Sequence, residues 1–536
     1  MVCPLTLLLL IPTFYDPSAT PDPLADAPQL AARINGFLAQ HWQANKIKPA
    51  APADDLTFLR RVTLDLAGRV PTYEEAISLA RDTAPDKHAR AVRRLMEGPE
   101  YALNMGCVLD EMIQGKFAGT PEFVEYLRTA VAERKPWDRI FREVLLGPWD
   151  DKDRNGADRF LLRRIKSIDD LTNDTARVFF GVNVSCAKCH NHPLVADWTQ
   201  DHYYGMASFF AGTSDSGKGK KKVGITEKAA TEVTFLTTKG ERRKAKMMFL
   251  SSEVVDDPAA STLAVSLTPR PRDRKEPPRI AMSSRRELLV KTALADKTFF
   301  RRAIVNRLWA YFMGRGLVHP LDQMHSANPP SVPGVLEALG DDLAEHRYNL
   351  DRLVAAIVLS RPYQMASVPN KDRDEVNERD FAVAPLRALS PQQVALSLAV
   401  VLGDGSLDQA KTVEARARRY RDLENQVAGI VKLDLLDPRS DHFQSSTAEA
   451  LFMSNSPEVQ RYFTPSGKNL VARLTAYTDT GGLVDTAIWT LLGRPPQCDE
   501  RAYLMRWLDE HKQGRSKACS EMLWALAASA EFRFNH

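Results

Sequence analysis

Cysteine is scarce, with 6 in 536 residues, and that scarcity excludes a disulfide-built scaffold. Charge of one sign is missing too: 72 basic residues stand against 68 acidic ones, a formal net charge of +4. So balanced a chain has no global attraction for a phosphate backbone, and no nucleic-acid role is expected. After Phe14 the chain has no apolar run long enough to span a bilayer, so no integral membrane span is expected in the mature chain. The lysine-rich stretch that starts at Gly212 has no P-loop spacing. What is left is a soluble globular composition, 44% hydrophobic and 26% charged, long enough for two or three domains.

The opening MVCPLTLLLLIPTF has the length of a signal-peptide apolar region and predicts export to the periplasm or beyond. No Lys or Arg precedes it, and Ala19 or Ala25-Asp26-Ala27 would be the cleavage point. An uncleaved anchor is the alternative. Cleavage would leave Cys107, Cys186, Cys189, Cys498 and Cys519. Apolar neighbours make Cys107 and Cys519 buried thiols, with a Cys498 to Cys519 bridge left open.

The rest reads as helix after helix, a mainly α fold of two multi-helical domains with a small β insertion. Residues 1–27 are a signal peptide and linker, 28–211 a helical domain, 212–282 a linker with the β insertion, and 283–536 a second helical domain. Residues 58–72 (FLRRVTLDLAGRVPT) form a helix stopped by Gly68 and Pro71, and Thr72 to Glu75 is a capping box for the next. Asp86 to Glu97 is a basic amphipathic helix whose Arg90, Arg93 and Arg94 face solvent. Asp169 to Phe180 ends at Gly181, and Thr199 caps a helix carrying Met206, Phe209 and Phe210. Thr231 to Thr238 alternates as a strand able to pair with Lys244 to Leu250. Lys297 to Met313 is a long helix stopped at Gly314, followed by a Pro- and His-dense loop, Leu317 to Pro333. Ser390 to Gln393 is a further capping signature, and helices close the chain near 446–462, 482–492, 498–511 and 516–530. Asp151 to Gly156 copies half of a calcium loop, but Leu162 stands where a bidentate Glu is required, which argues against calcium.

Chemistry concentrates in Cys186-Ala187-Lys188-Cys189-His190, followed by Asn191 and His192. Cys-x-x-Cys-His is the spacing for a haem c held by two thioethers, with the adjacent imidazole on the iron. His192 is a further possible ligand. Met206, His202, His319 and His325 are all open for the opposite axial position. Zinc is a rival, although adjacent Cys189 and His190 rarely face one tetrahedral ion. A Cys186–Cys189 disulfide is the second rival. His319 and Asp322, three residues apart in the loop, could present an acid and a base to a cleft, or merely hold the loop backbone.

Two stretches resemble a known pair of domains. FLRRVTLDLAGRVPT, CAKCHNHP and WTQDHYYGMASFF are similar to the planctomycete cytochrome-like domain, domain of unknown function fifteen-forty-nine. NRLWAYFMGRGLVHPLDQMHSANPPSVP, LSRPYQMAS, LRALSPQQV, LLGRPP and AASAEFRFNH resemble its partner, domain of unknown function fifteen-fifty-three. The resemblance implies a secreted protein often found with haem-bearing domains. It falls on Cys186, Cys189, His190, His192 and Pro193, then on Asn306, Arg307, Trp309, Gly314, Arg315, Gly316, His319, Pro320 and Asp322. At Gln323-Met324 the chain departs from the pattern, where a second acid and an aromatic are commoner.

The expected function is electron transfer or oxidation of an extracellular substrate at a c-type haem, with a redox partner. The alternative is a haem-free secreted binding or scaffolding protein, with a Cys186–Cys189 disulfide and polysaccharide or a surface protein as partner. A hydrolase using His319 and Asp322 is third.

Overall fold

Helix boundaries follow side-chain caps. The computed structural model describes residues 24–147, 156–192, 195–215, 225–227, 232–257, 284–368, 377–431, 455–511 and 514–536. Ten helices precede the insertion: α1 (Ala27–Ala44), α2 (Asp55–Ala67), α3 (Tyr73–Arg81), α4 (Lys87–Glu97), α5 (Pro99–Gln114), α6 (Pro121–Ala132), α7 (Trp137–Leu146), α8 (Arg159–Arg164), α9 (Ile168–Phe180) and α10 (Gln200–Ser208). Asp54 caps α2 and Gly68 ends it at φ +69°. The Thr72–Glu75 capping box opens α3 as expected, with Glu75 also bound bidentately by Arg69 at 2.8 and 2.9 Å. Arg90 and Arg93 of α4 are solvated and paired with nearby acids.

The insertion holds two small antiparallel sheets, β1 (Thr213–Asp215) with β2 (Ile225–Glu227), and β3 (Thr234–Leu236) with β4 (Arg242–Lys244). The second pairing corrects the expected one. A tight turn at Gly240, φ +79°, folds the chain back at once and sets Thr234 opposite Lys244. Met247, Phe249 and Leu250, the expected partners, are buried in the main core instead. The sheet β1–β2 begins in the stretch read as linker.

After the insertion come α11 (Arg285–Ala295), α12 (Phe300–Met313), α13 (Val335–Glu345) and α14 (Leu350–Val358), then β5 (Arg387–Ala388), α15 (Pro391–Leu402), α16 (Ser406–Gln409) and α17 (Val413–Val431). Helices Pro457–Phe463, Leu470–Thr475, Thr480–Leu492, Cys498–Glu510, Arg515–Ala528 and Ala530–Arg533 lead to β6 (Phe534–Asn535), which pairs with β5. The α12 helix starts at Phe300 because the Asp296 carboxylate takes the N–H groups of Thr298 and Phe299. The fold is mainly α, with three two-stranded sheets among the described residues.

One core draws on both sides of the insertion. Trp137 and Phe141 of α7, Phe179 of α9 and Phe300 of α12 are in ring contact, Phe141 and Phe300 at 4.5 Å between centroids. Each such ring contributes about 1.5–3 kcal/mol by leaving water. A second core packs α15, α17 and the C-terminal helices against Leu64, Val70 and Leu103.

Helix α2 lies between the two cores and is buried on every side, its charges included. Arg60 donates to the carbonyls of Phe532 (2.8 Å) and Glu531 (3.1 Å). Arg61 binds the carbonyls of Tyr363 and Met365. Asp65 accepts from the Tyr363 hydroxyl (2.7 Å), the Asn535 amide (2.9 Å) and the Arg387 guanidinium (2.7 Å). Buried charges are costly unless paired; Asp65 meets that condition, whereas Arg60 keeps Nε and Nη1 without a partner and burial pushes its guanidinium down to about 10.

Cys186, Cys189, Cys498 and Cys519 are all free, so the Cys498 to Cys519 bridge left open is not formed. Cys519 is buried as expected, whereas Cys107 is only partly so, beside Arg128 at 3.2 Å. The half calcium loop at 151–155, the apolar start at 1–23, the linker at 269–278, Pro193 and residues 446–454 lie outside the described residues.

Candidate functional site

The turn that carries the cysteines is held from both ends. Helix α9 ends at Gly181, φ +67°, where a Cβ would stand 2.9 Å from Met324 Sδ. Val182 and Val184 are buried, and between them the Asn183 side-chain oxygen accepts from Ser185 N–H (3.1 Å) and Oγ (2.7 Å). That bond starts a single 3-10 turn, Ser185–Lys188. Ala187 is buried beneath it, while Cys186, Cys189 and His190 are exposed.

His190 Nδ1 lies 2.7 Å from the Asn191 carbonyl. A carbonyl only accepts, so Nδ1 carries the proton and Nε2 keeps the lone pair a metal needs. On the far side of the motif, Gln200 anchors the turn from α10: its side-chain amide donates to the carbonyls of Cys189 (3.2 Å), Lys188 (3.4 Å) and Leu236 (3.3 Å). Tyr204 stacks on Phe235 at 4.3 Å and donates its hydroxyl to the Lys188 carbonyl. Burial alone would raise the Asp169 carboxyl, but Lys188 and Tyr203, both bonded to it, hold it below its ordinary value.

The loop after α12 meets this turn. Val182 bridges to Gln323 in antiparallel fashion, Asn183 N–H donates to the Asp322 carbonyl (2.8 Å), and Met324 N–H donates to the Gly181 carbonyl (3.0 Å). The loop is itself fixed by Asn306, fully buried, which exchanges two hydrogen bonds with the Val318 backbone at 2.8 and 2.9 Å. Arg307 binds the carbonyls of Val178 and Arg177 at the end of α9, and burial pushes its guanidinium down to about 10. Asp197, just past the motif, takes Ser326 N–H (2.8 Å) and Oγ (2.7 Å).

The residues singled out in the sequence separate accordingly. Cys186, Cys189 and His190 share one exposed turn. His192 closes the following loop by donating its N–H to the Trp198 carbonyl at 2.8 Å. Burial lowers the His325 pKa, with Asp197 opposing the shift and His192 adding a smaller push in the same direction. His325 Nδ1 is buried with no hydrogen-bond partner. His202 has both ring nitrogens engaged, by Thr199 Oγ1 (2.9 Å) and Ser252 Oγ (3.0 Å), and Met206 is fully buried. His319 is exposed, while the Asp322 carboxylate pairs with Arg177 at 3.0 Å. Among the described residues no three His, Cys, Asp or Glu side chains converge as ligands for a bare metal ion. Arg177, Asp197 and Ser326 were missed in the sequence because each is an ordinary polar residue whose partner lies far along the chain.

Two family models match the chain. Residues 33–215 match PSCyt2, described as a protein of unknown function (DUF1549), and residues 284–429 match PSD1, described as a protein of unknown function (DUF1553). The chain carries these two domains in tandem. No curated protein and no solved structure matches. The cysteine turn thus lies in the first of the tandem domains and the loop from Leu317 to Pro333 in the second, and the site is built where they touch.

Proposed function

We propose that the chain is an exported c-type haem protein acting in electron transfer or oxidation of an extracellular substrate. In this reading haem is attached through Cys186 and Cys189, with His190 on the iron. The observation that carries it is the geometry of His190. Two exposed, unbridged thiols share its turn, and its Nδ1 is committed to a carbonyl, which leaves Nε2 available. A haem so attached supplies one-electron chemistry when bound. The protein's part is to present both thiols on one rigid turn, fix the tautomer of His190, and brace the turn from two domains.

Of the side chains open for the opposite axial position, His202 is engaged at both nitrogens and Met206 is sealed in the core. His325, from the second domain, keeps an unpartnered buried nitrogen, and His319 is exposed in the same loop. The Asp322 carboxylate pairs with Arg177, which supports a loop-holding role over the hydrolase reading at His319 and Asp322. Export rests on the apolar start of the sequence; no described helix is long and apolar enough to cross a membrane.

A second reading is favoured by the polar collar of Lys188, Asp169 and Gln200 round the turn: a haem-free binding protein in which the two cysteines form a disulfide. Intact mass under denaturing conditions separates the two. Covalent haem adds its own mass, whereas a disulfide removes two hydrogens. Mature protein at the haem-free mass, made with haem-attachment machinery present, would overturn the first reading.

A further inference from the structure

The β3–β4 hairpin carries five basic residues, Lys239, Arg242, Arg243, Lys244 and Lys246, against one acid, Glu241, over residues 234–246. That local excess equals the +4 of the entire chain, so the remaining charges cancel. All five basic side chains are exposed. Lys244 pairs with Glu232 and Arg243 with Asp201, leaving Lys239, Arg242 and Lys246 to face solvent.

This hairpin is fastened to the cysteine turn. One Gln200 side-chain amide donates to both the Cys189 and the Leu236 carbonyls, and the Tyr204 ring lies between Phe235 and the Lys188 carbonyl. Leu236 itself is 60% exposed, a large apolar side chain on the residue whose carbonyl shares the Gln200 amide with that of the exposed Cys189. An apolar contact point beside the reactive turn, rimmed by cations, is the arrangement a short-lived charge-steered protein encounter requires. Opposite charge raises the encounter rate, while a small contact area keeps release fast.

We infer that the β3–β4 hairpin is the docking surface for an acidic one-electron carrier protein. Naming the partner a carrier rests on the haem reading above; its acidity rests on the hairpin alone. With haem held by Cys186, Cys189 and His190, one electron would pass from the reduced carrier, oxidised by one electron, to the haem, reduced by one electron. No bond is made or broken and no proton moves.

The test uses the full chain, its haem content checked beforehand, and reduced flavodoxin as an acidic carrier. The Lys239→Glu/Arg242→Glu/Lys246→Glu variant spares the two internal ion pairs of the hairpin region. The second-order reduction rate is expected to fall about tenfold or more in the variant at low salt, with the difference closing as ionic strength rises. Reduction by dithionite should stay equal in both proteins, showing that the site is intact. Equal rates with flavodoxin at low salt would overturn the inference. So would retention on heparin without flavodoxin binding, which would assign the patch to an anionic polysaccharide. A chain without haem would end the haem reading and the carrier identity with it, leaving only the acidic-protein docking surface to be tested. Calorimetric titration with oxidised flavodoxin then decides, with salt-sensitive binding lost in the variant supporting the surface and no binding refuting it.

Discussion

The Asn183 N–H donates to the Asp322 carbonyl across 2.8 Å, so the segment that delivers the cysteine turn is hydrogen-bonded along one edge by the other domain. The motif and the loop, more than a hundred residues apart in sequence, are halves of one construction.

Asn306 is the buried peg of that construction. Asn306→Ala leaves both the N–H and the carbonyl of Val318 without their side-chain partner and should cost about 2–4 kcal/mol of stability by urea unfolding. Asn306→Asp retains an acceptor for Val318 N–H but sets an unpaired carboxylate against the Val318 carbonyl in a buried site, and should cost at least as much.

Asp65 is expected to be among the least replaceable residues outside the site. Asp65→Ala strands the buried side of Arg387 together with Tyr363 and Asn535, at a cost of about 3–5 kcal/mol. Chemical denaturation should show the loss, with recovery when Arg387→Met is added so that no buried charge is left unpaired.

Asp110 gives the chain a specific pH dependence. Its carboxyl is 2% exposed, and burial raises it to about 6, against one opposing hydrogen bond from Gly119 N–H. Because the folded-state value lies above the unfolded one, the favourable contribution is complete below about pH 4 and is lost as pH rises through about 6. Asp110→Asn should therefore leave stability near pH 4 little changed and raise it at pH 7 by about 2–3 kcal/mol, read as the difference in unfolding free energy between the two pH values.

His325 is one of the two ligand candidates, with His319, that the second domain contributes. In haem-loaded protein, His325→Ala is expected to shift the ferric spectrum from low spin toward high spin while the covalent haem content stays unchanged. Electron paramagnetic resonance reads this directly, and an unaltered low-spin signal would remove His325 from the coordination.

Local signals in the sequence were sufficient where the physics is local. The Thr72–Glu75 and Ser390–Gln393 capping boxes and the stops at Gly68, Gly181 and Gly314 need only neighbours within a turn, and they appear where expected. The cysteine turn was legible for the same reason. Helix α2 was legible as a helix but not as the clasp of the C-terminal strand. Arg60 and Arg61 bind backbone carbonyls, which every residue offers, so no complementary residue type marks the partner. The docking of the loop was hidden likewise, since the bonds of Gly181 and Asn183 to Met324 and Asp322 are main-chain bonds. In the insertion, alternation located a strand at Phe235 but not its partner. The turn at Gly240 set the register before the more apolar segment could pair.

The most direct test of the account is the pyridine haemochrome spectrum of the full chain made alongside periplasmic haem-attachment machinery, compared with Cys186→Ala/Cys189→Ala. A c-type haemochrome that survives acid-acetone extraction is expected in the unaltered protein and not in the variant. A colourless unaltered protein, or haem that extracts freely from it, would contradict the central claim.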